Sequence, residues 1–236
     1  MTASPVVLIH SPLTSAAAWG DVPDLLRDAG LTVVVPEVLD DDSPSYSAHF
    51  VARVALQLSE TCTNQHVVLV GHGDAGPLLA QIGFARAAVG TPVGGYVFVD
   101  SDLPRGERTS SRLDLLRLRD PTAATELEAQ LDEGERVPDW RESELAATLP
   151  SLQQRAVLLA GLRPRDRDYY TEPLPLAEDW PDARCSYLRL SPAYAMPAAT
   201  ARQRGWDVSE QSLHHFAALS HPRVVADTLR ELIASP

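Results

Sequence analysis

Lysine is missing from the chain: all 20 basic residues are arginines, and 32 acidic residues leave a formal charge of −12 over 236 residues. A surface of that sign repels phosphate, which argues against nucleic acid and anionic membranes as partners. Cysteine is nearly as scarce. Cys62 and Cys185 cannot build a disulfide framework or a cysteine-rich zinc site, and they read as reduced, packed thiols. No run of 18 apolar residues could span a bilayer, and Met1-Thr2-Ala3-Ser4-Pro5 lacks the basic start and long apolar stretch of a signal peptide. The expectation is a soluble, cytoplasmic protein. The absence of lysine beside abundant Ala, Arg, Pro and Leu reads as the coding bias of a GC-rich bacterial genome. What is present is material for a core, with 44% hydrophobic and 22% charged residues. At this length that suits one domain with an insertion. There are no repeats and no low-complexity tract.

Short β-branched runs alternate with helical patterns through the first hundred residues. Val6-Val7-Leu8-Ile9 predicts a strand buried on both faces, followed by a helix over 19–29 that Gly30 stops. Leu31 to Val35 predicts a second strand closed by Pro36, Asp40 to Pro44 a loop, and Ser47 to Leu58 a helix. Val67 to Val70 predicts a third strand running into Gly71-His72-Gly73-Asp74-Ala75-Gly76. A helix to about Val89 and a fourth strand, Tyr96 to Val99, ending at Asp100, come next. Such alternation implies a parallel sheet covered on both faces. From Leu103 to about Trp180 the β-branched runs disappear and leucine spacing becomes helical. Helices are expected over 111–118, 122–131, 142–148 and 151–162. The sheet pattern returns at Cys185 to Leu190, with a helix near 198–204, a strand near 206–209 and a closing helix over 221–233.

These landmarks together resemble the α/β-hydrolase family over nearly the whole chain: an early strand ending in His10, the strand-to-helix turn at 71–76, a strand ending in Asp100, and Leu213-His214-His215-Phe216 before the last helix. The resemblance implies an α/β fold, a mostly parallel sheet with helices on both faces and a helical cap insertion. The core would be 1–102 and 181–236, and the cap 103–180. The family's turn reads Gly-x-Ser-x-Gly, and here its serine position is Gly73. Glycine cannot form a covalent acyl intermediate, so the resemblance does not imply serine-hydrolase chemistry.

The remaining site residues follow from the same likeness. The family's oxyanion hole uses the N–H after the nucleophile, here Asp74, and a second donor from the loop after the early strand, here His10-Ser11-Pro12-Leu13. Pro12 has no N–H, so that donor is Leu13, the Ser11 side chain, or absent. His215 matches the catalytic histidine, with His214 the immediate alternative. The partner acid is Asp100 or Asp102, because Leu190-Ser191-Pro192-Ala193-Tyr194 carries no carboxylate. His72 is expected to pack without reacting, Asp74 to be an ordinary first-turn acid, and Tyr194, Tyr169 and Tyr170 to be cleft walls.

Gly71-x-Gly73-x-x-Gly76 also fits a dinucleotide fingerprint, with Asp100 as the ribose acid. It follows the third strand rather than the first, and it leaves the two histidines without a role. A non-catalytic binding protein on the same fold is a third reading. The expected function is an enzyme of bacterial specialised metabolism that uses a His/Asp general base without a serine ester. Direct acyl transfer from a thioester or ester to an acceptor leads, and a cofactor-free lyase or cyclase is the alternative. The expected partner is a small-molecule or carrier-bound acyl substrate, with neither cofactor nor metal.

Overall fold

The computed structural model describes residues 4–39 and 42–234. Met1, Thr2 and Ala3, and Asp40 and Asp41 of the expected loop, lie outside the described residues. Six strands form one sheet in the order β2-β1-β3-β4-β5-β6. They are β1 (Val6–Ile9), β2 (Val33–Val34), β3 (Val68–His72), β4 (Gly95–Val99), β5 (Arg184–Arg189) and β6 (Asp207–Glu210). Every pairing is parallel, so all six C-terminal ends open on one edge.

The alternation of side chains along each strand divides the core in two. Val6, Leu8, Val70, Val97 and Leu188 pack against helices α1 (Val22–Asp28) and α11 (Pro222–Ala234). Val7, Ile9, Leu69, Phe98 and Tyr187 face the opposite way, against α2 (Tyr46–Thr61), α3 (Leu79–Ala88) and α9 (Ala195–Gln203). The expected α/β sheet with helices on both faces is therefore present. Between β4 and β5 lie five helices, α4 (Arg112–Arg119), α5 (Pro121–Asp132), α6 (Glu142–Leu145), α7 (Leu152–Ala160) and α8 (Arg167–Thr171), with two single β-bridges, Ser111 to Pro173 and Val137 to Arg165. A short α10 (Ala217–Ser220) precedes α11.

The differences from expectation have local causes. The helix expected over 19–29 is a 3-10 turn, Ala16–Trp19, and a separate α1, divided at Gly20. That glycine has φ +51°, and a Cβ there would stand 2.9 Å from the carbonyl oxygen of Ala218. The expected strand Leu31–Val35 keeps only two ladder residues at the sheet edge, next to Pro36, which has no N–H to donate. After Gly73 the chain makes a 3-10 helix, Gly73–Leu78, before α3 begins, because Pro77 cannot donate an α-helical bond. The helix expected over 142–148 ends at Leu145, and α8 is too short to leave a periodic signal.

Candidate active site

The strand ends bring together residues far apart in the sequence. At the end of β3, Gly73 adopts φ +57°, a left-handed conformation that costs a residue with a side chain about 1–3 kcal/mol. A Cβ at Gly73 would lie 3.3 Å from Nε2 of His215 and 3.4 Å from Cβ of Ser11. The nitrogen and the hydroxyl-bearing carbon thus face the small volume that the glycine leaves empty. Asp74 follows in the first turn of the 3-10 helix, where backbone N–H groups lack intrahelical acceptors. The other two glycines of this turn answer to packing. A Cβ on Gly71 would press within 2.9 Å of the Leu79 side chain, and one on Gly76 would come 2.4 Å from Oγ of Ser101 and 2.5 Å from the carbonyl oxygen of Asp102.

Asp100 ends β4 fully buried, with φ +42°. Its Oδ1 accepts from the N–H groups of Leu190 (2.6 Å) and Ser191 (3.0 Å), and its Oδ2 lies 3.2 Å from Nδ1 of His215. Tyr187 locks the next residue, its hydroxyl accepting from Ser101 N–H and donating to Ser101 C=O. These bonds over-determine the strained backbone. Burial works to raise the Asp100 pKa, but the hydrogen bond and charge of His215 and the bonds from Ser191 outweigh it and hold the carboxyl below its usual range. With Nδ1–H donated to Asp100, Nε2 of His215 is free to act as an acceptor over Gly73.

Rings fix the imidazole from both sides. His72 stacks at 4.2 Å between centroids and donates from Nε2 to the His215 carbonyl oxygen, while Tyr194 stacks on the other face at 5.3 Å and 16°. Burial, reinforced by the charge of His215, pushes the His72 pKa down to about 3, so His72 stays neutral beside its neighbour.

The other expected site residues separate. Asp102 lies out of reach of His215 in a salt bridge with Arg119 at 3.2 Å, and burial pushes its carboxyl up despite that charge. Asp100, not Asp102, is the histidine's neighbour. His214 turns away, with Nε2 2.8 Å from Oγ of Ser220. His10 is a structural residue: Nδ1 donates to its neighbour's carbonyl, and Nε2 accepts from Val38 N–H. The Leu13 N–H is already bonded to Oγ of Ser11 at 3.2 Å, so it is not a free oxyanion donor. The same bond occupies a lone pair of Ser11 and leaves its hydroxyl proton available. Asp74 Oδ2 accepts from the Tyr169 hydroxyl at 3.0 Å, with Arg112 at 3.9 Å. Tyr169 is buried behind the site, whereas Tyr170 and Tyr194 are walls of it.

Above this floor is a cavity of about 220 Å3, into which Ser11, Gly73, Asp74 and His215 face. Its roof comes from the insertion: Leu116 and Arg119 of α4, Leu127 of α5, and Trp140, which meets Phe216 edge to face. Arg119 left no signal in the sequence, since nothing in a leucine-spaced helix tells which polar residue points inward, and Trp140 lies in the loop before α6, where no periodicity marks a direction. Three larger surface grooves, of about 950, 580 and 290 Å3, contain no histidine and none of these residues. Among the described residues no group of three His, Cys, Asp or Glu is placed to hold a metal, and no helix is long and apolar enough to cross a membrane.

No curated protein sequence matches the chain. An extracellular α/β-hydrolase from a Paenibacillus species superposes with a TM-score of 0.78 at 19% identity, covering 99% of this chain and 100% of its own. Tomato methylketone synthase I superposes at 0.70 and 15% identity, over 98% of each chain. A pyrethroid hydrolase from Sphingobium faniae gives 0.69 and 17%, over 99% and 98%. At such identities the likeness concerns the fold. Residues 6–228 match the alpha/beta hydrolase family, and the chain is a member of it.

Proposed function

We propose that this protein is a cofactor-free enzyme in which His215, oriented by Asp100, takes a proton from one small substrate and returns it without an acyl-enzyme intermediate. The observation that carries this reading is the 3.3 Å between Nε2 of His215 and the missing Cβ of Gly73: the base is aimed, and nothing covalent stands before it. A C–H or O–H of the substrate takes that place. As the proton leaves, negative charge develops on a neighbouring carbonyl oxygen, for which the Asp74 N–H and the Ser11 hydroxyl are the nearby donors. The imidazolium is stabilised by Asp100 and then delivers the proton to the leaving carbon or oxygen. Elimination, retro-aldol cleavage and cyclisation all follow this course.

Direct acyl transfer uses the same base but needs donor and acceptor together, and about 220 Å3 is below the 300–1,000 Å3 of ordinary ligand pockets. One substrate suits the volume better. The acyl reading keeps some support from the hydrolase names among the neighbours. Chemistry beside a ketone draws support from tomato methylketone synthase I, whose structures hold β-ketoheptanoate or 2-tridecanone.

The test uses levulinate in heavy water. Deuterium should enter the carbon beside its ketone faster with the protein than in buffer, and His215→Ala should slow this by about 10²- to 10⁴-fold. Exchange equal to buffer, or unchanged by the substitution, removes the base role.

A further inference from the structure

Arg119 closes a column of stacked groups over the site. Its guanidinium carbon lies 4.4 Å from the Tyr194 ring centre, and that ring stacks on His215, which stacks on His72. The charge therefore sits one phenol ring away from the imidazole. Cavity-lining Arg112 has its terminal nitrogens occupied, Nη1 by the Tyr169 carbonyl at 3.1 Å and Nη2 by Oγ of Ser47 at 3.0 Å. Arg119 differs. Only its Nε is engaged, donating to Oδ2 of Asp102 at 3.2 Å, and among the described residues its Nη1 and Nη2 meet no hydrogen-bond acceptor. Its side chain is 14% exposed and lines the same cavity. A planar guanidinium with both terminal nitrogens open, on the side of the chamber that Leu116, Leu127, Trp140 and Phe216 wall and across from Ser11, Asp74 and His215, matches one ligand group best.

We infer that the substrate is a small carboxylate, whose two oxygens are received by Nη1 and Nη2 of Arg119 while its reacting carbon lies at His215. The inference deepens the proposed function by naming the substrate class of that cavity; it rests on the cavity being the substrate site, not on the reaction. It also excludes one reaction for this anchored group. An arginine that stabilises a carboxylate opposes loss of that carboxylate as carbon dioxide, since the charge must leave the anion as the bond breaks. The anchored carboxylate is thus a handle remote from the reacting bond. Asp102 is the internal competitor for the same cation, and its buried carboxyl occupies the Nε edge only.

Valerate and valeramide test this without chemistry, because they share a shape and neither carries a ketone. By NMR titration valerate should bind roughly 10- to 100-fold more tightly. Arg119→Gln should bring valerate down to the level of valeramide and leave valeramide unchanged. Asp102→Asn should move valerate the other way, toward tighter binding. If Arg119→Gln fails to fold, Arg119→Lys should keep a reduced preference, since the charge remains and the planar fork does not. Equal or weaker binding of valerate, a preference that survives Arg119→Gln, or failure of both probes to saturate at millimolar concentration overturns the inference. His215→Ala should retain the valerate preference. Lost exchange on levulinate with an intact preference would sink the reaction alone, and the reverse pattern would sink the carboxylate anchor alone.

Discussion

Asp100 approaches His215 with one oxygen only: Oδ2 is 3.2 Å from Nδ1, while Oδ1 is taken by the N–H groups of Leu190 and Ser191. The carboxylate is held by backbone whether or not the imidazole is charged. In Asp100→Asn the amide oxygen should keep the two backbone bonds and turn its NH2 toward Nδ1, which forces the proton onto Nε2. The base then faces the cavity in the wrong tautomer. Turnover should fall by about 10²- to 10⁴-fold with the fold intact. Nitrogen NMR of His215 should show the tautomer change, and an unchanged tautomer would remove the orienting role of Asp100.

The two adjacent histidines should separate in function. His214→Ala removes a bond to Ser220 and an edge contact with His221 and should change turnover less than tenfold, whereas His215→Ala should cost about 10²- to 10⁴-fold. Comparable losses in both variants, each still folded by circular dichroism, would contradict the assignment.

Gly73→Ser should convert the site. A side chain there would stand 3.3 Å from Nε2 of His215, next to an Asp-oriented imidazole. The unchanged protein should resist a fluorophosphonate probe, and the variant should be labelled at the new serine. Because φ is +57°, the substitution should also cost about 1–3 kcal/mol of stability, read by denaturant unfolding. Labelling of Ser11 or Ser101 in the unchanged protein would reveal a displaced nucleophile.

Acid should weaken the fold through His72. Its pKa is about 3 when folded against 6.5 for the free side chain, so the unfolded chain binds the proton first. Stability present above pH 6.5 is therefore lost as the pH falls toward 3, at up to about 1.4 kcal/mol per pH unit for this group. His10, lowered chiefly by burial, acts in the same direction. Asp100 adds its own loss further down, as the pH falls through its depressed pKa. His72→Gln keeps a donor toward the His215 carbonyl and should flatten the slope between pH 6.5 and 3; an identical slope in both proteins would place the acid sensitivity elsewhere.

The fold was legible where side-chain patterns are strong. β1, β3 and β4 are apolar runs buried on both faces, and their ends announced His10, Gly73 and Asp100. The choice of Asp100 over Asp102 was not legible, because two residues along one loop differ only in direction. The left-handed turn at Asp100 decides it. The loss of the Leu13 N–H to Ser11 was equally hidden, since a hydroxyl two residues away can bond many groups. Arg119 is the largest omission. Only the packing of α4 over Tyr194 distinguishes it from Arg117, which pairs with Asp114 and Glu128 in solvent.

Gly76 bears on how such a site can drift. With a Cβ there only 2.4 Å from Ser101 Oγ and 2.5 Å from the Asp102 carbonyl, the turn that carries Asp74 and the loop that carries Asp100 touch with no spacer between them. Two loops from different strands thus behave as one rigid jaw. A methyl group added at Gly76, 24 positions before the acid in the sequence, would displace Asp100 from His215 without touching either side chain. The turn has room at Gly73 for a change of its reactive position, whereas Gly76 is confined to glycine by contact with the loop opposite.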